Sequence, residues 1–276
     1  MLGFFERQRL VKKGLATSKQ RRRRTESELL DTLEHGLAAK VAVLAAFAGG
    51  LGMLVYSETG AHPLQQVLIA ALICVTALAQ LWITHPKTFE QNSHLTLLGL
   101  IFLLHLAMVK AVLVTCGHEP GAVVGELVLG QEQLWRLALP LAFAPLMLSV
   151  LLGRYHGLYA AIYASLWSSI LDRAMDPVVL EMSLVCGFVA VFVTLRVRRW
   201  TQLLRAGVFL GLTTWLLAVC FGLIGPVFGE VPGGVVWRAV GWQSAVAVGS
   251  GVMTALLALL VLPVFQSVFR ITTDIS

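Results

Sequence analysis

Apolar residues fall in eight blocks along this chain, at about 38–56, 67–83, 95–115, 137–152, 158–171, 178–195, 206–224 and 245–265, with short polar or charged breaks between them. A bilayer core of ~30 Å needs ~20 mostly apolar residues in an α-helix, and no break is long enough to bury a core of its own. The pattern predicts an all-α, polytopic transmembrane bundle of about eight spans. The fourth and fifth blocks are short and are joined only by Gly153-Arg154-Tyr155-His156-Gly157. They read as two spans with a tight turn, since a broken re-entrant pair at membrane depth is the rarer arrangement. The organisation is then a basic tail with an amphipathic helix at 1–36, a helical bundle at 37–266 and a linker at 267–276. A composition of 57% hydrophobic and 13% charged residues agrees with a chain whose function lies in or beside the membrane.

Charge orients the bundle. Ten of the 21 Lys and Arg lie in the tail through Lys40, and Lys87, Arg154, Arg196, Arg198, Arg199, Arg205 and Arg270 fall in alternate breaks or at the C-terminus. Cytoplasmic loops retain positive charge during insertion, so both termini are expected in the cytoplasm and an even number of crossings follows. The opposite breaks carry only Arg136, Arg173 and Arg238.

Within the tail, Arg21, Arg22, Arg23 and Arg24 form a run beside the first span. Such a run gains ~1 kcal/mol per residue from anionic headgroups; with no interleaved aromatics and a span following, the expected partner is the bilayer and not a nucleic acid. Thr25-Glu26-Ser27-Glu28 has the capping-box pattern, and Leu29, Leu30, Leu33 and Leu37 follow on one helical face. One helix running from about Glu26 into the first span is expected.

Catalytic and metal patterns are absent from the sequence. Cys74, Cys186 and Cys220 lie in spans, Cys116 lies near the outer face, and none of the seven His forms a His-x-x-x-His or His-Asp pattern. No phosphate loop or nucleophile elbow is present, and no cofactor is expected in this chain.

Polar groups inside spans are the default functional candidates. His105 and Lys110 share the third block but point about 140° apart; Lys110 is near enough to the outer end to snorkel, and a single His more commonly bonds to a neighbouring helix. Gln80, Ser149, Ser165, Ser168, Ser169, Glu181, Ser183 and Thr254 read as interhelical packing or hydrogen-bonding groups. Asp172, Asp176 and Glu181 make an outer acidic cluster that reads either as a cation or ligand site or as a solvated loop. Gly207 and Gly211, with Gly49, Gly50, Gly52, Gly249 and Gly251, permit close helix approach within the bundle or in a homodimer. The 235–242 stretch, with Trp237 and Trp242, reads as an interfacial helix.

Several stretches of the second half, in order, carry a resemblance. They are Leu139-Pro140-Leu141-Ala142, the segment from Asp172 to Pro177, Arg198-Arg199-Trp200 through Ala206-Gly207, and above all Leu262-Pro263-Val264-Phe265-Gln266 continuing to Asp274. From about Leu64 to Ser276 the chain resembles the membrane region of the bacterial seven-transmembrane HD-hydrolase family. That resemblance implies an inner-membrane protein with one N-terminal span, a seven-helix bundle and a cytoplasmic HD phosphohydrolase domain whose characterised members hydrolyse cyclic di-AMP. Divalent metals are expected only in that domain. Three departures qualify it: residues 57–66 leave no room for the family's extracellular domain, Gln266 stands where relatives usually have Glu, and the sequence ends at Ser276, where the hydrolase domain would begin.

The expected function is therefore a membrane anchor and signal-transmitting module, non-catalytic by itself, coupled through Gln266, Arg270 and Asp274 to an attached or separate cytoplasmic hydrolase domain. The rival reading is a small-solute transporter or channel built on His105, Lys110 and the outer acids.

Overall fold

A computed structural model of the protein describes residues 36–56, 63–117, 131–171, 177–194, 200–224 and 235–269. The tail arginines Arg21, Arg22, Arg23 and Arg24, the outer acids Asp172 and Asp176, and Arg270 and Asp274 lie outside the described residues. Among the described residues there is no strand. The helices are α1 (Leu37–Val55), α2 (Pro63–Thr84), α3 (Pro86–Glu90), α4 (Asn92–Gly117), α5 (Gln131–Ala138), α6 (Phe143–Leu151), α7 (Arg154–Leu171), α8 (Pro177–Thr194), α9 (Trp200–Cys220) and α10 (Val235–Phe269). Six of them, α1, α2, α4, α8, α9 and α10, are long and apolar enough to cross a membrane.

Three elements differ from the sequence expectation. The fourth block is broken: α5 ends at Ala138 and α6 starts at Phe143. Pro140 cannot donate to the helix ladder and pushes Leu139 out of the helical region, whereas Pro145, the third residue of α6, sits where its missing N–H costs nothing. Gly36 is extended, with φ −65° and ψ 131°. The first span's helix thus starts at Leu37 and does not continue unbroken from the tail. Finally, 235–242 is not a separate interfacial helix but the first two turns of α10, which runs uninterrupted for 35 residues.

Side-chain contacts give the directions of the helices. Phe47 lies beneath Gly99 and Leu103 beneath Gly50, so α1 and α4 run parallel. Trp167 reaches the Ala70 carbonyl and Tyr159 the Ala77 carbonyl, which sets α7 antiparallel to α2. Ser149 and Val191 crowd Gly157, and Ala161 crowds Gly187, so α7 is antiparallel to both α6 and α8. Helices α9 and α10 are antiparallel too: a Cβ on Gly207 would meet Ala255 at 2.5 Å, one on Gly211 the Val248 carbonyl, and one on Gly251 the backbone of Gly211. The backbones of α9 and α10 touch, and only glycine permits that approach. Gly49, Gly52 and Gly249 face open space and do no such work.

Helix α7 is the centre of the bundle, packed by α2, α4, α6 and α8. Its aromatic residues recur every fourth position, Tyr155, Tyr159, Tyr163 and Trp167, and so share one face. Trp167 meets Phe102 edge-on at 5.0 Å and Phe47 at 5.7 Å, which ties α7 to α4 and α1. The outer faces are apolar: Leu64, Leu68, Leu72 and Val75 form an exposed stripe on α2, as do Met253, Leu256, Leu260 and Val264 on α10. Lipid-facing helices carry such stripes because acyl chains, unlike water, impose no penalty on them.

Candidate functional site

Several polar side chains in the bundle bond from one helix to another, because a hydrocarbon core holds no water to satisfy them. Tyr163 donates to the Gln80 side-chain oxygen at 2.6 Å, and Ser149 shares a 2.6 Å hydrogen bond with Thr194. Ser183 reaches the Leu141 carbonyl at 3.4 Å, at the break that Pro140 creates. Ser165 and Thr254 bond back within their own helices instead.

His105 and Lys110 are engaged separately. His105 is fully buried, and its Nε2 lies 3.2 Å from the Ser168 hydroxyl across the α4–α7 contact. Its Nδ1 is buried without a hydrogen-bond partner among the described residues. Lys110 points to α1, where its Nζ donates to the carbonyls of Leu54 at 2.7 Å, Tyr56 at 3.2 Å and Met53 at 3.4 Å. The last carbonyls of a helix have no partner of their own and carry the negative end of its dipole. A lysine on the neighbouring helix supplies both a donor and a charge, so Lys110 fastens the end of α1 to α4. The two groups do not converge on one path.

Glu181 is exposed on α8. Gln266 lies on the last turns of α10, half-buried between Phe265, which is buried, and the exposed Ser267 and Val268. Among the described residues no three His, Cys, Asp or Glu are arranged to hold a metal ion.

One constellation went unremarked in the sequence. The α2–α3 connection and the α6–α7 turn meet at the end of the bundle that carries Lys40, Lys87 and Arg154. His85 stands at the first because it precedes Pro86, which opens α3 and restricts the residue before it. His156 stands at the second because Gly153, with φ +97°, takes the left-handed conformation that ends α6 and turns the chain into α7. The two imidazoles stack with centroids 4.4 Å apart. His156 Nε2 lies 2.9 Å from the Thr88 hydroxyl and Nδ1 3.1 Å from the Leu152 carbonyl. A carbonyl only accepts, so Nδ1 carries the proton and the Thr88 hydroxyl donates to Nε2. His156 precedes the fifth apolar block, and burial there, reinforced by the nearby His85, lowers its pKa from 6.5 to about 4. The Leu152 hydrogen bond pulls the other way, and His94 adds a further lowering. The sequence signal was topological: both histidines sit in breaks that charge assigns to one side of the membrane.

Six long apolar helices with lipid-facing stripes, packed around a polar and aromatic central helix, define a multi-pass membrane protein. Residues 63–273 match the model of the family described as 7TM receptor with intracellular HD hydrolase, and the chain belongs to that family. The match starts with α2, leaving α1 outside it. No curated protein and no solved structure matches the chain.

Proposed function

We propose that this chain is the membrane anchor and signal-transmitting module of a seven-transmembrane HD-type cyclic-dinucleotide phosphodiesterase in a bacterial inner membrane, with no catalytic residues of its own. The observation that carries the reading is α10: a single 35-residue helix seated backbone to backbone on α9 through Gly207, Gly211 and Gly251, and also packed on α5 and α6. A change of packing anywhere along that seam moves the whole helix, and with it whatever is attached beyond Phe269. The broken α5–α6 pair and the 158–171 part of α7 serve as the fourth and fifth crossings. That gives α1 plus seven, eight crossings in all, with both ends in the cytoplasm. The alternating helix directions and the family match beginning at α2 support this count.

The partner is a cytoplasmic HD hydrolase domain, attached or separate, which holds the divalent metals and acts on cyclic di-AMP. Residues 267–276, with Gln266, Arg270 and Asp274, form the coupling segment, and the tail arginines bind anionic headgroups. The transport alternative was built on His105, Lys110 and the outer acids; His105 and Lys110 have separate partners and lend it no support, and Asp172 and Asp176 lie outside the described residues.

The test joins a family HD domain after Ser276 and measures cyclic di-AMP hydrolysis in native membranes, with and without residues 37–266. A change in activity or in membrane recruitment on deletion is the expected result; equal values for both would remove the proposal. Reporter mapping that found Ser276 outside the cell would remove it as well.

A further inference from the structure

We propose that the contact of His156 with Thr88 and His85 is a pH-sensitive latch, closing the α2–α3 connection onto the α6–α7 turn and opening as the compartment it faces acidifies. The closed geometry is specific to a neutral ring. Nδ1–H is committed to the Leu152 carbonyl, Nε2 accepts from Thr88, and the face of the ring is stacked on His85. A proton on Nε2 reverses the Thr88 hydrogen bond and places a cation against a second imidazole.

Among the described residues the surroundings offer that cation no buried counter-charge. On α7 itself the neighbours are Arg154 and Tyr155, the guanidinium lying over the phenol ring at 4.7 Å. The α2–α3 segment presents His85, Lys87 and Glu90, and α4 presents His94, which opposes the proton. Helix α6 has no charged side chain, and α8 presents Val191 beside Gly157, its one acid Glu181 lying toward the opposite end. On α1, Lys40 sits 4.8 Å over the Phe89 ring. Glu90, the one acid on α2, α3, α4, α6 and α7, is exposed.

The sign follows from the lowered value. In the open turn His156 is in water and titrates near 6.5; in the closed one it resists protonation down to about 4. The latch therefore contributes fully above about pH 6.5 and is lost progressively as pH falls toward 4. Its opening frees the end of α6 that packs on α7, and α6 also touches α10. The coupling to a hydrolase rests on the preceding section, but the latch is read on this chain alone, so the two fail independently.

The experiment uses the full chain in lipid nanodiscs, with spin labels on Lys87→Cys and Arg154→Cys, both exposed positions, and with Cys116 and Cys220 replaced by Ser. Between about pH 7.5 and 5.5 a longer-distance population should grow severalfold, and His156→Gln should remove that dependence. An unchanged distance distribution, or the same dependence in His156→Gln, would overturn the proposal. Should the variant fail to fold, nitrogen-15 imidazole spectra of the otherwise unmodified chain decide it: His156 must gain its proton over the interval in which the distance changes. A ring that stays neutral while the distance shifts also overturns it.

Discussion

Helices α1 and α7 have almost the same length, 19 and 18 residues, and opposite surroundings. Three residues of α1 are buried, Phe47, Leu51 and Val55, against ten of α7. Yet α1 is apolar enough to be recognised at once as a span, whereas α7, with three tyrosines, three serines and a histidine, is not among the six that qualify. In water the buried helix would be the apolar one. In a bilayer the ranking inverts, because lipid tails welcome Leu and Val while hydroxyls, indoles and imidazoles must find partners on other helices. Hydropathy thus points to the periphery of the bundle, and the interior must be read from aromatic spacing and small residues.

The contrast can be broken most severely at α7. Trp167→Ala removes the ring that joins α7 to Phe102 and Phe47 and should cost about 3–5 kcal/mol, read as a loss of folded protein in thermal unfolding in detergent. On α1, Val41→Ala removes a side chain 58% exposed toward lipid and should leave the same transition where it was. A comparable loss at both positions would mean that α1 is as deeply packed as α7.

Gly187→Ala probes the tight face of α7. Its new Cβ would stand 2.8 Å from the Ala161 Cβ and 3.2 Å from the Ala161 Cα, and backbone cannot step aside as a flexible side chain can. Destabilisation of about 1–3 kcal/mol is expected, while Gly49→Ala on α1, facing open space, should be neutral or slightly favourable.

Lys110→Met sharpens the comparison from the other side. It keeps the length of the side chain but withdraws the charge from the Leu54, Tyr56 and Met53 carbonyls, at a cost of about 1–2 kcal/mol. The loss should be local: a cysteine pair across the ends of α1 and α4 should cross-link less efficiently, with α7 unaffected. Cross-linking equal to that of the parent chain would show that α1 is held by its apolar contacts, Phe47, Leu51 and Val55 among them, without help from Lys110.

How much of this was legible beforehand depends on the kind of contact. The spans were legible because the lipid-facing stripes that make them apolar are local in the sequence, and the family was legible in the order of a few segments ending at Leu262-Pro263-Val264-Phe265. The break at Leu139–Ala142 was hinted at by Pro140, but whether neighbouring helices would re-form a continuous ladder around it is a tertiary question. The start of the first span's helix at Leu37 and the continuity of α10 through Trp242 were misjudged, since a single extended Gly36 and an unbroken hydrogen-bond ladder leave little trace in composition. Lys110 was read as able to snorkel from near the outer end of its span, but its partners are backbone carbonyls, which have no signature in a sequence. The His85–His156 stack joins positions 71 residues apart, and only the shared side of the membrane linked them.

The length of α10 has a mechanical meaning. At ~1.5 Å per residue its 35 residues extend over ~52 Å, more than the ~40–45 Å of a bilayer with its headgroups. A rod longer than the slab it crosses, if upright, protrudes on one side or both, and if tilted, spends the excess on its angle. Either way, twist or tilt imposed at one end arrives at the other without an intervening joint, except where Pro263 removes one rung of the ladder. That missing rung softens the ladder near the end without stopping it, since the helix runs on from Pro263 to Phe269.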